Sequence, residues 1–201
     1  MYYVSSPYFN GKVRSFDTED EAVTFVKRRA IKIAEGQNMT TKFIEANMHI
    51  EWRDDMNIGS GGAYPSNALS NFAPHPFRLD GVDIASMEGF LQSLKTKNPD
   101  MQAYICTLVG ITAKRAGGSK NWKTSQTLYW QGKAYARDSE AYTELIERAY
   151  DALFQNAKFR KALKATGNAT LQHSVGSRKK QDTVLTKQEF IGNLVRLRNK
   201  L

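Results

Sequence analysis

A chain of 201 residues with 41% hydrophobic and 11% aromatic content has enough apolar material for one ordinary core, and fits one main domain with an extension better than two full domains. Its longest apolar runs, such as Tyr104 to Thr112, fall far short of the ~20 residues that span a bilayer, and the N-terminus lacks a basic-then-apolar signal, so a soluble cytoplasmic protein with no membrane partner is expected. The net charge of +9 is concentrated near the C-terminus, where residues 153–201 carry eleven Lys and Arg against Asp182 and Glu189 alone. Such a field attracts nucleic acid or a phosphorylated ligand, although composition by itself is met equally well by a solvated basic surface.

In chain order, Thr18 and Glu21 have the spacing of a capping box, and Ala22, Val23, Phe25, Val26, Ile31 and Ile33 follow, predicting a short strand and then a helix over 18–35. Ile44, Ala46, Met48, Ile50 and Trp52 alternate with Glu45, Asn47, His49 and Glu51, which predicts a half-buried strand with His49 on its polar side. Residues 54–77, with Gly59-Ser60-Gly61-Gly62 and Pro65, Pro74 and Pro76, read as a long loop, and flexibility accounts for the glycines better than a phosphate cradle does. Leu79 to Ile84 supplies a short strand. Helices are then expected near 86–96, 99–115, 138–155, 156–166 and 186–199, giving an α+β fold that is predominantly helical after residue 85, with a small sheet on the N-terminal side.

Within the helix at 86–96, Glu88, Gln92 and Lys95 fall at i, i+4 and i+7 on one face, opposite an apolar stripe of Met87, Phe90, Leu91 and Leu94. Taken alone, that pattern is a solvated polar face with a helical Glu–Lys spacing. Farther on, Trp122, Tyr129 and Trp130 interleave with Lys120, Lys123 and Lys133, which suits either stacking on a base beside phosphates or plain packing. His173 lies in a glycine-flanked loop. The single cysteine, Cys106, sits in an apolar run and reads as a small core residue; three scattered histidines and this cysteine give no metal-ligand spacing, so no metal is expected.

The segment Leu69 to Lys95 reads LSNFAPHPFRLDGVDIASMEGFLQSLK. Ser70, Asn71, Phe72, Pro74, Pro76, Phe77, Asp80 and Gly81 match the pattern SNF-x-P-x-P-F-x-hydrophobic-D-G, and Ser86, Glu88, Phe90, Gln92 and Lys95 match S-V-E-H-Y-F-Q-A-x-K. Phe154, Asn156, Phe159, Leu163, Thr166 and Gly167 match a third element, and Arg196-Leu197-Arg198 an ending. On these residues the chain resembles the NADAR (YbiA-like) family over roughly residues 50–201. It departs from the pattern at Gly89, where the family usually has His, and in LQHSVGSRKKQDTVLTKQEF, which replaces a W-G-x-G element and leaves Asp182 as a stand-in for an acidic residue there.

The resemblance implies a predominantly helical NADAR/YbiA-like domain over 41–201, preceded by a strand-helix extension over 1–40 with no assigned function. It also implies cleavage between a ribose C1 and a nitrogen, since members act on phosphorylated riboflavin-pathway intermediates or remove ADP-ribose from guanine bases of nucleic acid. The basic C-terminal quarter favours the second. The expected activity is therefore that of an N-glycosyl hydrolase acting on ADP-ribosylated nucleic acid, DNA before RNA, with ADP-ribose as product and no cofactor. Glu88 and Lys95 are the expected catalytic pair. Asn71, Phe72, Gln92, Trp122, Trp130, His173 and Asp182 are expected around the ligand, and Arg178, Lys179 and Lys180 along the nucleic acid. Lys95 either forms a Schiff base with the sugar or binds phosphate while Glu88 assists direct displacement. The competing readings are a small-molecule N-glycosidase and, given Gly89, a non-catalytic ADP-ribose reader. Members occur in cells and in viruses that infect bacteria, so the compartment is the cytoplasm, the host's if the protein is viral.

Overall fold

The computed structural model describes residues 2–52, 55–118 and 121–201, apart from the side chain of Trp52. The chain forms two compact units, Met1–Met56 with Asn168–Thr170, and Asn57–Gly167 with Leu171–Leu201.

In the first unit, β1 (Tyr2–Ser5) pairs antiparallel with both β2 (Arg14–Phe16) and β3 (His49–Trp52). Helix α1 (Glu19–Gln37) starts where its cap dictates: Thr18 Oγ1 accepts the Glu21 N–H at 3.2 Å and the Glu21 carboxylate accepts the Thr18 N–H at 3.4 Å. Its Ala22, Val26 and Ala30 close a core with Val4, Ile44 and Met48. The alternating stretch expected as one strand over 44–52 is instead split, because Thr41–Ala46 forms α2, capped by Thr40, and only His49 onward is extended. Ile44 and Met48 lie four apart and both face this core, so the same apolar positions satisfy a helical period as well as a period of two. For the same reason residues 41–56 belong with the N-terminal unit, and the boundary expected at residue 40 lies at Met56 instead.

The chain leaves this unit within the short strand β4 (Asp55–Asn57). In the second unit, β5 (Phe77–Leu79) and β6 (Val82–Ile84) form a hairpin, where a single strand was expected. Its turn residues Asp80 and Gly81 have φ of 49° and 84°. Ser86 then caps α3 (Met87–Ser93), its Oγ accepting the Gly89 N–H at 3.0 Å and donating to the Leu108 carbonyl at 2.9 Å. Every residue of α3 is buried, and the helix ends at Ser93, so Lys95 stands in the turn that follows it. The helix expected over 99–115 is broken into α4 (Pro99–Cys106) and α5 (Gly110–Ala116), with Gly110 at φ 54°. After α6 (Asn121–Ser125) comes a second hairpin, absent from the sequence-based expectation, formed by β7 (Thr127–Trp130) and β8 (Lys133–Ala136). Its turn pair Gln131 and Gly132 has φ of 47° and 79°, the left-handed geometry that matches hairpin twist.

Helices α7 (Glu140–Leu153) and α8 (Ala157–Ala165) follow, capped by Ser139 and Asn156; strand β9 (Thr170–Gln172) and α9 (Lys187–Arg198) complete the chain. Arg137, 1% exposed, pins α9 in place. Its two terminal nitrogens donate to the Glu189 carboxylate at 3.1 and 2.6 Å, and its Nε to the Thr183 carbonyl at 2.8 Å. Glu189 also closes the capping box of α9 with Thr186.

At Gly89 the helix meets backbone closely: an added Cβ would lie 2.7 Å from the Leu108 carbonyl oxygen and 3.0 Å from that of Ile105. These are backbone atoms and cannot rotate away. Gly89→Ala is therefore expected to lower unfolding free energy by about 1–3 kcal/mol, as overpacking does. Gly192→Ala in α9, with nothing within 4 Å, is expected to leave stability unchanged or raise it by about 0.5–1 kcal/mol. Denaturant unfolding of the two variants checks both, and equal effects would refute the steric account.

Candidate active site

The loop before β5 and the first turn of α3 meet at Asn71, whose carbonyl accepts the Glu88 N–H at 2.9 Å. The Asn71 side chain is oriented by Tyr150 of α7. That tyrosine is fully buried, and its hydroxyl lies 2.9 Å from Asn71 Oδ1. A buried hydroxyl with one neighbour must donate to it, which fixes Oδ1 as acceptor and leaves both Nδ2 hydrogens for another partner. Burial holds the Tyr150 phenol far above its ordinary range, although the Asn71 hydrogen bond opposes this, so it acts as a donor at any working pH. Beside Asn71, the half-buried Phe72 has Lys114 Nζ 5.6 Å from its ring centroid.

Glu88 is 7% exposed and Gln92 is 6% exposed. Gln92 Nε2 donates to Glu88 Oε1 at 2.8 Å. Burial raises the Glu88 carboxyl above the usual carboxylate range, opposed by the Gln92 hydrogen bond and by the charges of Lys114 and Lys95. The half-buried Lys95 is shifted the other way: burial lowers it, Glu88 opposes that, and the charges of Lys123 and Lys114 lower it further. No direct ion pair joins Glu88 to Lys95 among the described residues. The result is a carboxyl that keeps its proton to higher pH than usual near an amine that loses its proton at lower pH than usual, the pairing that acid catalysis and amine nucleophiles require.

The other expected residues are placed as follows. Trp122 and Trp130 are 4% and 3% exposed. Trp130 donates Nε1–H to Asp80 at 2.9 Å and packs edge-on against Phe90, so both indoles serve the core and neither offers a face for stacking on a base. His173 is half-buried, with Nδ1 2.7 Å from the Ile58 carbonyl and its ring edge-on to Phe190, which gives it a structural anchor. Asp182 is exposed in a 3-10 turn and makes no contact with Glu88 or Lys95 among the described residues; Arg178, Lys179 and Lys180 are exposed on the same segment. Lys120 lies outside the described residues. Cys106 is buried, which pushes its thiol up. Among the described residues, no group of three or more His, Cys, Asp or Glu is arranged to hold a metal, and no helix is long and apolar enough to cross a membrane. Tyr150, Lys114 and Gly117 enter the site without a local signal in sequence; Tyr150 lies 79 positions from its partner Asn71.

This arrangement of α3 against α4, α5 and α7 belongs to a YbiA-like α+β fold. The NMR structure of the E. coli protein YbiA is similar with a TM-score of 0.51 and 21% identity, over 75% of this chain and 86% of that one. Residues 63–199 match the family described as bacteriophage protein GP30.3. The chain is also 43% identical over 150 residues to an uncharacterized 17.1 kDa protein in the Gp30-rIII intergenic region of Enterobacteria phage T4, covering 73% of this chain and 99% of the relative. The protein belongs to the bacteriophage GP30.3 family. The matched region takes in Asn71, Glu88, Gln92, Lys95, Lys114 and Tyr150, and leaves most of the N-terminal unit outside.

The desolvation of Glu88 has a measurable sign. A carboxyl whose folded pKa lies above its ordinary value of 4.5 contributes fully below that value, and the contribution is lost as pH rises through the folded pKa. Glu88→Gln, which keeps the shape and the hydrogen bond from Gln92, is therefore expected to match wild type near pH 4 and to exceed it in stability at pH 7–8. Thermal unfolding across that range checks this, and a gap that narrows with rising pH would contradict it.

Proposed function

We propose that this protein is an N-glycoside hydrolase that removes ADP-ribose from guanine bases of nucleic acid, DNA before RNA, in the cytoplasm of an infected host. The observation that carries the reading is the buried Glu88 beside the half-buried Lys95, one pushed toward its protonated form and the other toward its neutral form. The resemblance of the Leu69 to Lys95 segment to the NADAR pattern supports the substrate class, and viral relatives support the host compartment. Gly89, the departure that favoured a non-catalytic reader, is accounted for by packing, because any side chain there would strike backbone carbonyls.

Where the base is joined through an exocyclic amine, the ribose C1 is an aminal carbon. Ring opening breaks the C1–O bond and gives an imine to the base. The neutral Lys95 amine adds to that carbon, the base amine departs with the Glu88 proton, and a Lys95–sugar imine remains. Water then adds to the imine carbon with Glu88 carboxylate accepting its proton, and expulsion of the lysine restores the free amine and releases ADP-ribose. Asn71 Nδ2 is positioned to donate to a sugar or phosphate oxygen, and Phe72 to wall the ligand. The alternative chemistry is direct displacement through an oxocarbenium-like state, with Glu88 activating water and Lys95 and Lys114 binding phosphate.

Guanine-ADP-ribosylated DNA is the substrate to test, with free ADP-ribose followed by mass spectrometry. Wild type is expected to release it, Glu88→Gln and Lys95→Ala to be slower by about two orders of magnitude or more, and borohydride to trap a Lys95 adduct if the imine forms. Replacement of Arg178, Lys179 and Lys180 together by alanine is expected to weaken turnover of the polynucleotide and flatten its salt dependence. Turnover of a phosphorylated riboflavin-pathway intermediate alone would move the assignment to a small-molecule N-glycosidase, and tight ADP-ribose binding without turnover would make the protein a reader.

A further inference from the structure

Two observations around Gln92 have no role in the chemistry above. First, its Oε1 is buried and accepts no hydrogen bond, although the residue is 6% exposed and its Nε2 is committed to Glu88. Second, Gly117, at the C-cap of α5, lies directly against it: a Cβ at position 117 would fall 2.2 Å from Gln92 Oε1, 2.5 Å from its Cβ and 2.9 Å from its Cδ. Gly117 has φ −77° and ψ 15°, and its N–H donates to the Ala113 carbonyl at 3.1 Å. Any residue can adopt that backbone conformation, so the conformation does not account for glycine here. The side chain of Gln92 does.

With Nε2 on Glu88 and Oε1 against Gly117, the amide of Gln92 is enclosed at both ends. We propose that Gln92 does not touch the ligand but positions Glu88, that Gly117 is the residue that seats the Gln92 amide, and that the pair keeps Glu88 hydrogen-bonded with or without its proton. When Glu88 is ionised, Nε2 donates to it, as observed. When Glu88 is protonated, its O–H needs an acceptor, and a half-turn of the Gln92 amide brings Oε1 to it. Each orientation makes one hydrogen bond to Glu88 and leaves the opposite amide end against Gly117, so neither is favoured until the proton decides. A carboxyl that must give up a proton and take one back is thereby held in one place through both halves of the cycle. The inference rests on the catalytic reading of Glu88, but its test does not require substrate.

The experiment is a pH titration of the Glu88 side-chain carboxyl by carbon-13 NMR on the full chain, with Glu88→Gln to assign the signal. Gln92→Met keeps length and packing but removes donor and acceptor. It is expected to move the Glu88 midpoint upward by about one pH unit, because the bond lost from the carboxylate is charge-assisted and stronger than the one lost from the neutral acid. In wild type the Gln92 side-chain amide resonance is expected to move with the same midpoint as Glu88. Gly117→Ala is expected to shift Glu88 upward as well or to impair folding. On a Gln92→Gly background, which removes all three atoms the new Cβ would meet, the same substitution is expected to cost little. Equal Glu88 midpoints in wild type and Gln92→Met, or an equal penalty for Gly117→Ala on both backgrounds, would overturn the proposal. Loss of the hydrolase reading would show separately, as absence of ADP-ribose release from a wild type whose Glu88 titrates as described.

Discussion

The site depends on the burial of α3 on every side. A helix of seven residues, Met87–Ser93, has no face in water, so its one carboxyl is desolvated whatever else surrounds it. That burial depends on close approach: Gly89 lets backbone carbonyls of the α4–α5 turn lie against α3, and Gly117 lets the end of α5 lie against Gln92. Ser86 secures the same contact from the helix end, capping α3 while donating to Leu108. Packing therefore sets the chemistry, because the distance between these helices decides how much water reaches Glu88.

Glu88 and Glu189 show how differently one residue type behaves in two settings of the same unit. Burial alone raises both carboxyls. At Glu189 the guanidinium fork of Arg137 and the N–H of Thr186 outweigh that burial, and the carboxyl lies below its ordinary range. At Glu88 the direct polar side-chain partner among the described residues is one neutral amide, with Lys114 and Lys95 acting from farther away, and the carboxyl lies above it. The first arrangement anchors α9; removing one partner from so enclosed a pair typically costs about 3–5 kcal/mol. The second leaves a charge incompletely compensated, which weakens the fold at neutral pH and makes a proton available for transfer. Under the proposed function, stability and reactivity fall to separate carboxylates.

Local chemistry was legible in the sequence wherever it acts over a few residues. The capping box at Thr18 and Glu21 and the alignment of Glu88 with Gln92 follow from spacing, and the structure carries both. The same spacing misled on environment, since a Glu–Gln–Lys face reads as solvated and here lies mostly inside, with Lys95 beyond the helix end. Residues 44–52 satisfied two periods at once, and the core that selects the helical one is made with β1 and α1. Sequence left Trp130 open between stacking and packing because its partner Asp80 lies 50 positions away. Arg137, Tyr150 and Gly117 gave no sign for the same reason: each acts on a residue distant in sequence.

The charge of the C-terminal quarter also reads differently once its partners are known. Arg196 and Lys200 share Asp151, Arg160 donates to the carbonyls of Phe154 and Gln155, and Lys187 to that of Ser174. Arg196 and Lys200 tie the C-terminal segment to α7 and Arg160 and Lys187 brace it internally, so the count of cations overstates the charge free to meet a polyanion. Arg178, Lys179 and Lys180 differ, being exposed in succession with no side-chain ion pair among the described residues. Three adjacent unpaired cations release counterions on meeting a phosphate backbone in a way that paired ones do not. Lys114 and Lys123 add positive charge at Lys95 itself. Under the proposed function, a modified polyanionic strand meets one cationic group in the loop and another beside Lys95, and the two can be separated by mutation because they lie on different elements.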